Sequence, residues 1–217
     1  MNDCSVFNLL ATKKYIFWDF DGVIKNSVEV KSNAFVQMFE SFGSDVAKKV
    51  KSHHEANGGM SRFDKLPIYL EWSGQSPSLI LVDEYSEKFS VLVKEKVIES
   101  DWVPGVFEYI LKNSYNQTFF LVTATPQSEI EEILESLQIR SYFCKVVGAP
   151  IKKDEAISVL LCENSIEPNE TVMIGDSSSD YDAAIANCVP FILRRTNLNL
   201  ILQENLSCLM IEDFCNE

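Results

Sequence analysis

No stretch of the 217 residues stays apolar for the roughly 20 positions of a membrane-spanning helix. No basic leader followed by a long apolar run opens the N-terminus. These absences predict a chain without a targeting or membrane segment. Cations are scarce: 19 Lys and Arg face 32 Asp and Glu, a formal net charge of −13. That balance argues against nucleic acid and anionic membranes as partners, and any anionic substrate would need cations gathered locally. The six cysteines form no CxxC pair, which disfavours a zinc ribbon or a dithiol redox site. Their mostly apolar neighbours predict reduced, buried thiols and a cytoplasmic protein. The rest is ordinary globular composition, 46% hydrophobic and 24% charged, enough for a substantial core.

Short apolar runs alternate with amphipathic stretches. The runs Tyr15–Trp18, Phe119–Val122, Thr171–Ile174 and Phe191–Leu193, with a weaker one at Lys145–Val147, read as strands buried on both faces of a parallel sheet. Residues 127–138 and 153–164 carry apolar positions at helical spacing. This alternation predicts a doubly wound α/β domain. One interval breaks the rhythm. The strand ends Val122, Val147 and Ile174 lie 25 and 27 residues apart, whereas Trp18 to Val122 spans 104. A βα unit takes roughly 30 residues, so about 75 are inserted after the first strand. Helical patterns at 28–42 and 86–98 fill the insert, and Trp102-Val103-Pro104-Gly105 marks the return to the sheet. The expected organisation is an α/β core over 1–25 and 102–217, with a helical cap over 26–101.

Open α/β sheets bind ligands at the carboxyl ends of their strands. There the chain carries Asp19-Phe20-Asp21-Gly22, then Thr123-Ala124-Thr125, then Gly148-Ala149-Pro150-Ile151-Lys152-Lys153, then Gly175-Asp176-Ser177-Ser178-Ser179-Asp180. Taken singly, Asp176 or Asp180 reads equally as a helix cap, Thr123 as a strand-end residue, and Lys152 and Lys153 as solvated cations. Together, four converging carboxylates would repel and raise one another's pKa. A divalent cation resolves that conflict, and an all-oxygen site suits Mg²⁺.

With these four ordered elements the chain resembles the haloacid dehalogenase-like hydrolases, over essentially its whole length. The helical insert resembles the cap of the phosphoglycolate phosphatase and β-phosphoglucomutase branch. The resemblance implies Asp19 as nucleophile, forming an aspartyl-phosphate, and Asp21 as general acid and then base. It implies Mg²⁺ held by Asp19, the carbonyl of Asp21 and Asp176, with Asp180 a ligand or an orienter of one. Thr123 and Lys153 would bind the transferring phosphoryl group, Lys153 being favoured over Lys152 by family spacing. Backbone N–H groups near Gly22 and Ala124 would cradle its remaining oxygens. Asn26 stands where relatives usually carry Asp, near the hinge.

In the cap, Gly59-Met60-Ser61-Arg62 resembles a loop whose Arg contacts substrate, since a planar fork suits a carboxylate or second phosphate. The alternative for Arg62 is an exposed surface cation. Lys25 and Lys65 are weaker specificity candidates. Adjacent helical residues diverge by roughly 100°, so His53 and His54 are expected at the surface or in cap packing, not on one metal ion. The function expected is a Mg²⁺-dependent phosphatase acting on a small phosphorylated metabolite, as a monomer or homodimer. A phosphosugar mutase would use the same groups. A phospho-accepting signalling receiver shares the acid cluster but needs no cap of this size. A true dehalogenase is disfavoured, because attack on carbon needs neither Asp21 nor a metal.

Overall fold

A run of β-branched and aromatic residues whose alternate side chains are all apolar has one stable place, the middle of a sheet covered on both sides. The computed structural model describes residues 3–215 and shows this arrangement. Its helices and strands, in chain order, are α1 (Asp3–Ala11), β1 (Tyr15–Trp18), α2 (Val28–Phe39), α3 (Ser44–Ala56), α4 (Arg62–Trp72), α5 (Leu79–Glu99), α6 (Val106–Lys112), β2 (Thr118–Pro126), α7 (Gln127–Ser136), β3 (Phe143–Ala149), α8 (Lys153–Glu163), β4 (Thr171–Gly175), α9 (Ser178–Ala186), β5 (Phe191–Arg194), α10 (Leu200–Asn205) and β6 (Leu209–Ile211). The strands form one sheet in the order β3-β2-β1-β4-β5-β6. Every pairing is parallel.

The period-two alternation sorts the sheet into two cores. Ile16, Trp18, Phe119, Leu121, Val172, Ile174 and Ile192 enter one buried cluster, which continues into the insert through Phe35, Phe39, Tyr69 and Phe89. Phe17, Phe120, Val122, Met173, Phe191 and Leu193 enter the other, against Ala156, Ile157 and Leu160 of α8 and Ala183 and Ala184 of α9. The fold is therefore the doubly wound α/β sheet with a helical cap, whose four helices α2–α5 lie between β1 and β2. The order reverses at β1: the chain adds β2 and β3 on one side, then β4 to β6 on the other. A crevice at the carboxyl end of β1 follows from that reversal.

Several expectations need correction. The α-helix expected over 28–42 stops at Phe39 and continues as a 3₁₀ turn over Glu40–Phe42. The helix expected over 86–98 is one 21-residue helix, α5. The short elements α1 and β6 were not expected, because nine and three residues hold too few apolar repeats to declare a period. The cysteines are free but not buried: Cys144, Cys162, Cys188 and Cys215 are exposed and Cys208 is half-buried. Sequence neighbours face the opposite way on a strand and diverge by roughly 100° on a helix, so they do not predict a thiol's own burial. The side chain of Cys4 lies outside the described residues. Among the described residues, no helix is long and apolar enough to cross a membrane.

Candidate active site

The parallel register sets the end of β1 level with Leu121 inside β2 and with Ile174 near the end of β4, because Trp18 pairs with both. The residues that follow these three positions therefore meet. Asp19 donates its backbone N–H to the Ile174 carbonyl at 3.0 Å and is 4% exposed. Lys153, buried at the start of α8, sets its ammonium 2.9 Å from Asp19 Oδ1 and 2.6 Å from Asp180 Oδ1. Lys152, by contrast, is exposed at the N-cap of the same helix. Ligand oxygens of Asp19, Asp176 and Asp180 all lie within 4.8 Å of one another.

This cluster is electrostatically short of positive charge. Burial and the neighbouring Asp180 carboxylate push Asp19 up to about 7, against the pull of Lys153. Burial, then Asp19 and Asp180, raise Asp176 well above the usual carboxylate range. Lys153 is raised, because Asp180 and Asp19 outweigh the opposing effect of burial. Three carboxylates against one ammonium is a donor set of hard oxygens with room for a cation's charge, which fits a divalent ion such as Mg²⁺.

Asp180 also has a structural duty. Ser177 caps α9, and its Oγ donates to Asp180 Oδ2 at 2.6 Å while its backbone N–H donates to the same oxygen at 3.1 Å. Capping and charge placement thus share one residue. Asn199, buried, donates Nδ2 to the Asp176 carbonyl at 2.7 Å and to the Arg194 carbonyl at 2.8 Å, tying the ends of β4 and β5 together.

Asp21 lines the same cleft with different partners. Ser27 Oγ donates to its Oδ1 at 2.6 Å, Thr125 Oγ1 donates to its Oδ2 at 3.1 Å, and the Lys31 ammonium pairs with that second oxygen. Burial alone would raise this carboxyl; Lys31, Ser27 and Thr125 together hold it below its ordinary value. Its carboxylate is not among the clustered metal-ligand oxygens. Gly22 turns the chain at φ +76°, and a Cβ there would fall 2.0 Å from Asp176 Oδ2. Its own N–H is donated to the Lys25 carbonyl at 2.7 Å, so that group cradles no ligand oxygen here. Its contribution is the room it leaves beside Asp176. Thr123 is buried, and its Oγ1 accepts from the Thr125 N–H at 3.2 Å. Ala124 lines the cleft beside it.

The cap supplies the facing wall. Arg62 is neither an exposed cation nor a free fork. It is 5% exposed, and its two terminal nitrogens donate to Glu129 Oε2 at 2.9 Å and Oε1 at 2.6 Å. Ser90 Oγ accepts from Arg62 at 2.6 Å, and the guanidinium carbon lies 4.5 Å from the centre of the Phe89 ring. Glu129 stands in the first turn of α7, beyond β2, so this ion pair ties the cap to the core. Arg62, with burial opposing it, holds the Glu129 carboxyl below its ordinary value. Gly59 presses on the same seam, where a Cβ would fall 1.7 Å from Ser179 Oγ.

Lys25 donates to the Ile98 carbonyl at 3.0 Å and sits 4.5 Å over the Trp102 ring, away from the cleft lining. Asn26 is exposed, its N–H donated to the Asp101 carbonyl at 2.8 Å where the two connections to the cap run side by side. The paired histidines do diverge. His53 stacks edge-on against Tyr69 and Trp72 in cap packing. His54 is 4% exposed and packs against Phe35, as the packing alternative expected, and it also lines the cleft. The site residues that sequence reasoning missed are Lys31, Thr125, Ser27, His54, Glu129 and Asn199. Thr125 was available as the residue two positions after Thr123, on the same side of an extended strand. Lys31, one helical turn after Ser27, had a similar signal.

Comparison with known proteins agrees with this geometry. The haloacid dehalogenase-like hydrolase family matches residues 16–193. A phosphorylated carbohydrates phosphatase of Thermotoga maritima is 29% identical over 180 residues, 78% of this chain and 79% of that protein. A phosphoglycolate phosphatase of Chromobacterium violaceum is 26% identical over 182 residues, 80% of this chain and 81% of that protein. The solved structure of a β-phosphoglucomutase from Clostridium difficile superposes with a TM-score of 0.72 at 20% identity, covering 93% of this chain and 92% of that one. The chain belongs to the haloacid dehalogenase-like hydrolase family.

Proposed function

We propose that this hydrolase is a phosphatase releasing phosphate from a small phosphorylated metabolite, by way of a phosphoryl group carried on Asp19. The observation that carries this reading is the placement of Asp19: buried at the sheet's reversal point, 2.9 Å from Lys153 and clustered with Asp176 and Asp180. The phosphatases named among its relatives, each matched over about four-fifths of its length, support the same class. Residues 26–101 act as the cap and 1–25 with 102–217 as the core.

Asp19, Asp176 and Asp180 would hold the divalent cation, Mg²⁺ by the hardness of the donor set. When bound it supplies charge neutralisation that lets a carboxylate approach a phosphate dianion. The chain's own residues do the rest. An Asp19 oxygen attacks phosphorus, forming a P–O bond as the bond to the alcohol oxygen breaks. Asp21 gives that oxygen its proton. Lys153 offsets the charge carried by the phosphoryl oxygens and favours the ionised form of Asp19 against burial and Asp180. Thr123, whose oxygen already accepts a hydrogen bond, keeps its O–H to donate to a phosphoryl oxygen. Water then attacks phosphorus, its proton passes to Asp21, and Asp19 leaves as carboxylate with free phosphate. Paired with Lys31, Asp21 is in the ionised form that serves this second step. The first step needs it protonated, a form that the pairing with Lys31 opposes.

The test is release of nitrophenol from p-nitrophenyl phosphate with Mg²⁺. Wild type turns over, EDTA stops it, and Asp19→Asn is inactive. Undiminished hydrolysis by Asp19→Asn overturns the assignment of the nucleophile.

A further inference from the structure

The three clustered acids are not held alike. Asp19 has the Lys153 ammonium at 2.9 Å. Asp180 has the same ammonium at 2.6 Å, the Ser177 hydroxyl at 2.6 Å and the Ser177 N–H at 3.1 Å. Among the described residues, no hydrogen bond or ion pair reaches the Asp176 carboxylate. Its position is therefore set by the backbone that carries it and by the space at Gly22, where a Cβ would fall 2.0 Å from Asp176 Oδ2.

One side chain fixes that backbone. Asn199, 6% exposed, donates Nδ2 to the Asp176 carbonyl at 2.7 Å and to the Arg194 carbonyl at 2.8 Å. Its Oδ1 accepts from the Thr196 N–H at 2.9 Å and from Gln203 Nε2 at 2.7 Å. Gln203 is held in turn, donating the same nitrogen to the Thr196 carbonyl at 2.8 Å. A primary amide has two donor hydrogens and an oxygen with two lone pairs, so Asn199 is fully used. Its orientation is unambiguous, because backbone carbonyls only accept and a peptide N–H only donates. The carbonyl of Asp176 and the N–H of Ser177 belong to one rigid, planar peptide group. Asn199 grips the oxygen end of that plane, and the nitrogen end donates to Asp180 Oδ2. A single peptide plane, pinned by one buried amide, thus carries the first acid and addresses the second. Hydrogen bonds linked in this way polarise and strengthen one another.

We infer that Asn199 is a positioning residue of the cation site: through the peptide plane between Asp176 and Ser177 it aims Asp176 and Asp180 at one shared divalent ion. The inference rests on the cation site of the proposed function and extends it to a residue beyond β5 that touches neither the ion's ligand oxygens nor the cleft lining. Neither Leu nor Asp can replace the amide. Leu has similar volume and leaves all four partners unanswered, and Asp turns a carboxylate oxygen toward two carbonyl oxygens.

The test is binding of Mn²⁺ alone to the full-length protein, read without turnover from the paramagnetic resonance of the free ion. Oxygen ligands that suit Mg²⁺ also suit Mn²⁺. Asn199→Leu and Asn199→Ala are each expected to bind Mn²⁺ about tenfold or more weakly than wild type. Thr196→Val removes the acceptor of the Leu198 N–H in the same loop and leaves the bonds of Asn199 in place. It is expected to bind within about twofold of wild type, which separates a loosened loop from a lost aim. Urea unfolding identifies the folded proteins. Where neither Asn199 variant folds, Gln203→Ala takes their place, since it withdraws one of the two donors that fix Asn199 Oδ1, and a loss of about threefold is expected. Affinity within about twofold of wild type in the folded Asn199 variants, or in Gln203→Ala where that protein is the one read, overturns the inference. So does an equal loss in Thr196→Val, or no Mn²⁺ binding by wild type. Phosphate release reports on the underlying reading separately. A protein whose Mn²⁺ affinity depends on Asn199 but that releases no phosphate keeps the positioning role and loses the phosphatase assignment. One that releases phosphate while its Asn199 variants bind Mn²⁺ as wild type does the reverse.

Discussion

The two walls of the cleft carry opposite charge by opposite means. The core wall crowds Asp19, Asp176 and Asp180 around one lysine, so it has negative charge to spare. The cap wall brings Lys31, Arg62 and Lys65 to the same cleft and answers two of them, Lys31 with Asp21 and Arg62 with Glu129, by carboxylates of the core. An acid-rich chain thus places three of its 19 cations, Lys31, Arg62 and Lys65, on one wall of the cleft. The core wall is held by strand ends and suits chemistry that must not move. The cap wall rides on helices joined to the core by two connections at Asn26 and Asp101, and suits recognition and closure.

The contrast can be broken most severely at its centre. Asp19→Asn keeps the shape and removes the nucleophile; activity toward p-nitrophenyl phosphate should fall by a factor on the order of 10⁴ or more. Retained activity would make the core wall a mere charge cluster. Next comes the seam. Glu129→Ala leaves the Arg62 guanidinium buried without its carboxylate, a loss of about 3–5 kcal/mol. The midpoint of thermal or urea unfolding should report it, and a change below about 1 kcal/mol would show that the pair is not a strut. Gly22→Ala tests the room beside Asp176. A strained φ of +76° and a Cβ 2.0 Å from Asp176 Oδ2 should cost about 1–3 kcal/mol of stability along with most of the activity.

The smallest effect is titration of the core wall in metal-free protein. Asp19 is raised in the folded state from an ordinary value of about 4 to about 7. The folded protein therefore holds a proton that the unfolded chain releases across that range. Asp19's contribution to stability is present at low pH and is lost as pH rises from about 4 through 7. Urea unfolding of wild type and Asp19→Asn in EDTA should show their stability difference moving against wild type across that window, and a divalent cation should reverse the trend. A flat difference would mean that the acids do not press on one another.

Legibility in the sequence followed the same division. The sheet, its parallel order and the insert were readable because buried strands must be uniformly apolar and because 104 residues cannot fit between two neighbouring strand ends without an insertion. Asp19, Asp176 and Asp180 were legible as candidate acids following strand ends, whereas Lys153 was favoured over Lys152 only by family spacing. The partners of Arg62 and Lys65 were not. Arg62 finds Glu129 across 67 residues of chain, and Lys65 finds His54 on another helix, pairings that depend on how the cap seats and leave no local signature. Asp180 was legible as a strand-end acid but not as half of a capping box, since both duties ask for the same residue type.

The most direct test of the central claim is acid-quenched mass spectrometry of the enzyme mixed with Mg²⁺ and excess phosphomonoester. The account predicts a phosphoryl adduct on the peptide containing Asp19 during turnover, lost as substrate is exhausted and never formed on Asp19→Asn. Steady phosphate release from wild type with the adduct on another residue would contradict it.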